Sequence, residues 1–537
     1  MPALMEKPLG LRRIFLGVLA SVCLVLPASS AQSGEAGETL KFEIDTAKTF
    51  PISPFIYGIN GGDWKGKCKG LTLGRCGGNR MTAYNWENNA SNAGSDWQHQ
   101  NDAFLGGGEI PGEVMRKPVA EALGAGVSIL VTIPIIGHVA ADKKGGGDVN
   151  QTPDYIHKRF VESVARKGAP FADKPDLNDG KVYQDEFVNW LEKQFPNARK
   201  DPKAQIFYCM DNEPDLWQGT HARIHPKKVE YDELAKLNAE YADAVKSVAP
   251  KALVFGPVNY GWMGFATLQD APDRKNRDFL EFFLAEMKAA EAKAGKRLLD
   301  VLDIHWYPEA QGGGKRICED DTNPGIVAGR LQAPRSLWDD TYVEESWIAK
   351  DVLGKKAIRL LPRIREKVEK NYPGTKVAIT EYYYGGGAHI SGGIAQADVL
   401  GVFGREGLFA ACLWHLGKTD ARFIYAGYAL YRNYDGQGGQ FGDTGLGVTG
   451  GDAAKAMLFA SVDEKKRLVL VALNKTDKPL TAEIHLKGGA KFAKAKPFVL
   501  TDAKAELVAG AELSAKPDGS LDYPMPPYSA TTLVLIP

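Results

Sequence analysis

Two glutamates each close a short apolar run. Glu213 ends Ile206-Phe207-Tyr208-Cys209-Met210-Asp211-Asn212-Glu213, and Glu381 ends Val377-Ala378-Ile379-Thr380-Glu381. An apolar run that stops at a carboxylate reads as a buried strand presenting an acid at the mouth of a barrel. Two such carboxyls among aromatic side chains are what the cleavage of a glycosidic bond requires. Other runs end in polar and aromatic groups too: Arg75-Cys76-Gly77-Gly78-Asn79, His305-Trp306-Tyr307 and Trp414-His415. Taken singly, each has a bland reading, such as a loop carboxylate, an ion-pair arginine or a core tryptophan. Gathered on one rim, they favour a functional site.

The elements that must carry these residues follow from the apolar pattern. Eight runs read as strands apolar on both faces: Phe55–Asn60, Leu71–Arg75, Val127–Pro134, Ile206–Met210, Ala252–Phe255, Val301–His305, Val377–Thr380 and Leu408–Trp414. Such runs suit parallel strands with helices on one side and a packed interior on the other. Helical periods lie between them. In Tyr231–Ala249, Leu234, Leu237, Tyr241, Val245 and Val248 share one face. Phe279–Ala294, Ala357–Asn371, Ile394–Arg405 and Ala421–Tyr434 read alike, and helices at Tyr155–Arg166 and Asp185–Phe195 precede the fourth strand. The pattern predicts an α/β chain built on a (β/α)8 TIM barrel. An open doubly wound sheet competes, but the glycine-rich phosphate turn after its first strand is absent.

Past Gly436 the helical period fades. Ala456–Ser461, Leu468–Leu473, Thr481–Leu486, Pro497–Leu500 and Thr531–Ile536 read as strands separated by turn clusters, which predicts an additional all-β sandwich domain. The alternation of Leu40, Phe42 and Ile44 marks an early strand that can join it. The expected organisation is a signal peptide at 1–31, a stub and strand at 32–54 joining the sandwich, the catalytic barrel at 55–436 and the sandwich at 437–537. Lys7, Arg12 and Arg13, the apolar stretch Ile14–Leu26 and Ser29-Ser30-Ala31 have the order of a secretory signal. The chain is therefore expected outside the cytoplasm, secreted or periplasmic, with no membrane span after the signal is removed.

Lys and Arg balance Asp and Glu at 66 each, so no electrostatic footprint points to nucleic acid. Five cysteines follow the signal: Cys68, Cys76, Cys209, Cys318 and Cys412. An odd number is not a complete disulfide framework, although Cys68 and Cys76 are near enough in sequence to bridge. Asp96 and Asp102, set among Asn and Ser residues, are candidate structural calcium ligands. A solvated loop is the simpler reading of them. Trp64, Trp86, Trp338 and Trp347 are candidate cleft-lining residues, with a core position equally open.

The longer motifs carry a specific resemblance. Asp211-Asn212-Glu213-Pro214-Asp215-Leu216-Trp217 with Thr220-His221-Ala222-Arg223-Ile224-His225-Pro226 resembles glycoside hydrolase family 44. So does Thr380-Glu381-Tyr382-Tyr383-Tyr384-Gly385-Gly386-Gly387 and its continuation to Asp398. Tyr84-Asn85-Trp86-Glu87-Asn88-Asn89, Ser91–Trp97, Arg330–Trp338 and Tyr431–Gly436 match as well.

The resemblance implies an endo-acting β-1,4-glucanase active on cellulose-type chains and xyloglucan. It also implies a retaining mechanism, with Glu213 as acid/base and Glu381 as nucleophile. Arg75 is then a partner for the ionised nucleophile, Asn212 a donor to a sugar 2-hydroxyl, and Tyr307 a donor to Glu381. Trp414 offers a flat face beneath a sugar ring, and His305 stands beside the substrate. No cofactor is needed for such a reaction, and a monomer is expected. Another β-glycan such as xylan or mannan, or carbohydrate binding without catalysis, remain the alternatives.

Overall fold

The computed structural model describes residues 37–415 and 420–537; the signal peptide expected at 1–31 and the start of the expected stub lie outside them. Eight parallel strands close a barrel: β1 (Gly58–Asn60), β2 (Leu73–Cys76), β3 (Ser128–Ile133), β4 (Ile206–Met210), β5 (Val254–Asn259), β6 (Val301–Trp306), β7 (Lys376–Tyr382) and β8 (Ala410–Leu413). Each falls on one of the eight apolar runs. Closure is made where Cys412 of β8 pairs with Gly58 of β1.

Helices return the chain between the strands: α1 (Glu113–Gly124), α2 (Gln184–Gln194), α3 (Tyr231–Val248), α4 (Phe279–Ala294), α5 (Leu360–Asn371), α6 (Ile390–Arg405) and α7 (Arg422–Arg432). Their ends show ordinary chemistry. Asp278 accepts a hydrogen bond from the Glu281 N–H at 3.0 Å, and Gly295 takes the left-handed position at the other end of α4. One expected helix is corrected. Tyr155–Arg166 is helical only at Tyr155–Arg159, and Phe160–Val164 is a strand between His138–Ala140 and Lys181–Tyr183. The β-branched Val161 and Val164 and two available strand partners outweigh the helical spacing.

The barrel interior changes character along its axis. Leu73, Phe207, Phe255, Val301, Ala378 and Ala410, at the beginnings of their strands, belong to one apolar plug. Phe207 meets Phe55 edge-on at a centroid distance of 5.2 Å and Phe255 at 5.7 Å. Two residues further along lie Arg75 on β2 and Asp303 on β6, both buried. The period of two thus delivers apolar side chains to the floor and ionisable ones to the mouth.

Outside the barrel, the strands that follow α7 and the early strand form a ten-stranded sheet. The early strand, Glu38–Pro51, pairs antiparallel with Thr444–Gly450 and parallel with Leu480–Lys487. Leu40, Phe42, Leu458, Leu470, Ile484 and Leu533, drawn from both halves of the sheet, share one core, so the sheet folds over itself as a sandwich. Alternate residues do different work: Leu458 and Ala460 face that core, whereas Met457 and Phe459 pack into the core of the barrel. Gly401 of α6 allows this approach, since a Cβ there would lie 2.3 Å from the Phe459 ring.

At the same junction Lys475 meets Asp398 of α6 at 2.5 Å, with side chains 0% and 2% exposed. Lys475→Met is expected to strand the Asp398 carboxylate and lower stability by about 3–5 kcal/mol. Urea unfolding measures it. A loss under about 1 kcal/mol would mean that Asp398 is not held as a buried charge.

Candidate active site

The candidate residues meet at the C-terminal ends of β2, β4, β6, β7 and β8. Their aim depends on local irregularities. Along β7 the pairing with β6 runs Ala378 to Asp303, Ile379 to Ile304, then Glu381 to His305, so Thr380 is an extra residue. In a regular strand, Glu381 would point away from the face that Ala378 shares; the bulge turns it inward. Asp303 holds the bulge, accepting hydrogen bonds from the Thr380 N–H at 3.2 Å and hydroxyl at 2.8 Å. Glu213 has φ 44° and Asp211 φ 68°, left-handed conformations that form a sharp turn after β4. Asp211 secures that turn by accepting from the N–H groups of Ile135 at 2.7 Å and Asn212 at 2.8 Å.

Glu381 is held from two sides. Arg75 Nη1 donates to its Oε1 at 2.6 Å and the Tyr307 hydroxyl to its Oε2 at 2.7 Å. Burial works against charge on Arg75, but Glu381 and Asp303 outweigh it and the guanidinium stays charged. Arg75 also donates to Asn60 at 2.9 Å and to Asn212 Oδ1 at 2.7 Å. With its oxygen committed, Asn212 has its amide NH2 left for the cleft. The Tyr307 hydroxyl is pushed well above its usual range by burial and by Glu381, so it remains a donor.

Glu213 differs. Its side chain is 15% exposed, and its Oε1 lies 2.8 Å from His305 Nδ1. Burial raises its carboxyl to about 7, with Arg75 opposing and Asp96 assisting. Burial lowers His305 to about 3 although Glu381 resists, so the ring is neutral. A neutral imidazole can accept from protonated Glu213 or donate to the carboxylate. If Glu213 must carry the proton, kcat/KM should decline above about pH 7, read from a pH–rate profile on an unactivated substrate.

One oxygen of Glu213, one of Glu381 and a nitrogen of His305 lie within 4.8 Å of one another, the one three-donor cluster among the described residues. Two acids and an imidazole are a metal donor set by type. Here Arg75 and Tyr307 already occupy the oxygens of Glu381.

Trp414 lies along the cleft, against Gly78. Gly78 has φ 86°, and a Cβ there would come within 2.6 Å of the indole, so both its backbone and the tryptophan require glycine. The other expected aromatic residues lie elsewhere. Trp86 is 1% exposed, stacked on Phe187 at 5.7 Å and beside Trp190 at 5.9 Å. Trp64 packs on Gly62 and Gly74 in a groove with Leu71 and Arg432. Trp338 lies beneath Arg405 at 4.0 Å in the crevice facing the sandwich, and Trp347 packs against the core. His305 has no exposed surface and underlies the two glutamates rather than lining the cleft. Asp96 and Asp102 are cleft-wall residues. Asp96 accepts from Asn79 at 2.7 Å, and Asp102 pairs with Arg80 at 2.7 Å. Cys68 and Cys76 are both free thiols.

Several site residues were not read from the sequence. Trp97 and Phe104, 57% and 75% exposed, line the cleft wall. Large exposed aromatics in a polar loop were the available signal. Asp303 was another: a carboxylate inside a strand buried on both faces needs a partner.

A closed parallel barrel bearing a guanidinium-held carboxylate beside a partly buried carboxyl raised to about 7, in an open cleft with an aromatic face, defines a glycoside hydrolase. The family model of glycoside hydrolase family 44 matches residues 90–310. Endoglucanase A of Paenibacillus lautus is 39% identical over 543 residues, spanning 98% of this chain and 76% of that protein. The β-mannanase/endoglucanase A of Caldicellulosiruptor saccharolyticus is 40% identical over 83% of this chain, which spans 35% of that protein. The family 44 xyloglucanase of Paenibacillus polymyxa, solved with xyloglucan, superposes with a TM-score of 0.87 at 41% identity, covering 93% of this chain and all of that one. The chain belongs to glycoside hydrolase family 44.

Proposed function

We propose that the protein is a secreted endo-acting hydrolase that cleaves β-1,4-glucan backbones, xyloglucan included, with retention of anomeric configuration. The observation that carries the mechanism is the closeness of the two carboxyls, one oxygen of Glu213 lying within 4.8 Å of one oxygen of Glu381, which favours the shorter of the two known carboxyl separations. Retaining pairs are about 5–5.5 Å apart and inverting pairs about 6.5–9.5 Å, because the latter must admit a water. Glu381 attacks the anomeric carbon while Glu213 protonates the departing oxygen. Glu213 then takes a proton from water, which releases the sugar from Glu381. Tyr307 and Arg75 keep the attacking carboxylate in line, and the Asn212 amide donates to a sugar 2-hydroxyl as charge develops on the ring. Trp414 supports the ring undergoing substitution. Neither step requires a metal or an organic cofactor.

The names of the Paenibacillus relatives support β-glucan and xyloglucan as substrates. Mannan is assayed beside them, because the Caldicellulosiruptor name includes it. Loss of one glutamate, expected for a binding protein without catalysis, is not seen. The test is NMR of early products from xyloglucan and a cello-oligosaccharide. The β-anomer from internal cleavage is expected. Early α-anomer would make the enzyme inverting, and no cleavage of either would move the substrate to another β-glycan.

A further inference from the structure

The turn that carries Glu213 is fastened at two points to an irregular part of β5. The Glu213 N–H donates to the Val258 carbonyl at 3.0 Å. Two residues on, Asp215 accepts from the Asn259 amide at 3.2 Å and from the Tyr260 N–H at 3.2 Å. The pairing of β5 with β6 shifts register between Pro257 and Asn259, which leaves Val258 as the bulged residue. Val258 has φ 63°, a left-handed backbone that is a true outlier for a β-branched side chain. Its side chain is fully buried in the apolar plug of the barrel. Such a conformation persists only where its surroundings hold it, and here it delivers a carbonyl to Glu213 and a side-chain amide to Asp215.

Asp215 is 2% exposed and closely enclosed. A Cβ at Gly264 would lie 2.1 Å from its Oδ2. Nothing in double displacement by Glu213 and Glu381 uses this carboxyl.

We propose that Asp215 is a positioning residue for the acid/base, clasping the Glu213 turn onto the β5 bulge with its carboxyl set behind it. The proposal rests on the reading of Glu213 as the acid/base. The clasp confines a residue whose backbone would otherwise leave the left-handed region, and so confines its carboxyl toward the leaving oxygen. The Asp215 carboxyl has a separate effect. Burial and Glu213 raise Asp215 to about 7, beside a Glu213 also near 7, so the two titrate as a coupled pair. Where Asp215 is ionised, its charge favours the proton on Glu213. The other charged or titratable groups facing Glu213 are Arg75, Asp96, His305, Tyr307 and Glu381; Tyr260 faces Asp215.

The test compares Asp215→Asn, Asn259→Ala and Glu213→Ala on unactivated xyloglucan and on an aryl cello-oligoside with a good leaving group. Asp215→Asn is expected to lose about 10-fold in kcat/KM on xyloglucan and less than about 3-fold in the glycosylation step on the aryl substrate, since only the former needs a well-aimed proton. Its alkaline limb should move to lower pH by about half a unit or more. Asn259→Ala, which keeps the carboxyl but removes a donor, should show the same dependence on leaving group. Equal losses on both substrates with an unmoved alkaline limb would overturn the proposal. If Glu213→Ala itself shows no dependence on leaving group, it is the acid/base reading that fails, and the two failures are distinct.

Discussion

Glu381→Ala is expected to abolish turnover, with kcat falling by about 10⁴-fold or more, as when a covalent nucleophile is removed. In the proposed double displacement, the substitution takes away the atom that bonds to the anomeric carbon. It also leaves Arg75, 1% exposed, without the carboxylate 2.6 Å away that balances it. The space vacated lies beside the Tyr307 hydroxyl and the guanidinium, both donors suited to a small anion. Azide should enter there and restore turnover of a substrate with a good leaving group. The product should be the α-glycosyl azide, since attack comes from the face that Glu381 used and no second inversion follows. Near-normal activity of the variant would remove Glu381 from the nucleophile role. A β-configured azide would place the attacking anion on the face of Glu213.

The eight strands were legible because strands buried on both faces must be apolar throughout, and each such run stood between polar stretches. The pairing of acids with strand ends was legible for the same reason. Glu213 and Glu381 are where a buried run first reaches the mouth. What actually aims them was not legible. Thr380 as an extra residue in β7, and Val258 in β5, are departures from the period of two. An apolar run read one residue out of step looks the same in composition. Asn60, which accepts from Arg75 at 2.9 Å and donates to the Thr380 carbonyl at 2.9 Å, braces one of these bulges across the barrel. A lone asparagine at a strand end carries no hint of that.

The tryptophans fared differently. Trp414 was placed by its strand end, whereas Trp64, Trp86, Trp338 and Trp347 had only their residue type to speak for them. An indole serves a core, a domain crevice or a sugar equally well, because all three offer apolar contact. Trp86 found Phe187 and Trp190, and Trp338 found Arg405. The cleft wall is instead built by Trp97 and Phe104, on a loop between β2 and β3 whose polar neighbours gave no apolar period to follow. Arg80 lies over the Phe104 ring at 4.1 Å while pairing with Asp102, which keeps that exposed ring in one place. Asp96 and Asp102, candidates for calcium with a solvated loop as the simpler reading, lie on this cleft wall. The sandwich strand Thr444–Gly450 escaped notice because glycines interrupt its alternation, and Leu521–Met525 because it is short and carries a proline, which disfavours a strand reading.

Glu213→Ala should divide its effect by substrate. On unactivated glucan, departure of the sugar oxygen needs a proton, and losing its donor should cost about 10²–10⁴-fold. On an aryl glycoside whose leaving group departs as a stable anion, the first step should proceed at close to its normal rate. The second step should then fail, because no base is left to activate water for attack on the Glu381 ester. A burst of released phenol equal to the enzyme concentration is therefore expected, followed by slow turnover. Azide should relieve that second step, since it needs no deprotonation, and should give the β-glycosyl azide. The contrast with Glu381→Ala lies in the anomer: α from the nucleophile variant and β from the acid/base variant. The alkaline decline expected above about pH 7 should also vanish, because on this reading it reports the proton on the Glu213 carboxyl. Were the decline to persist in Glu213→Ala, the proton would belong to another group, and Asp215, also raised to about 7, would be the first to test.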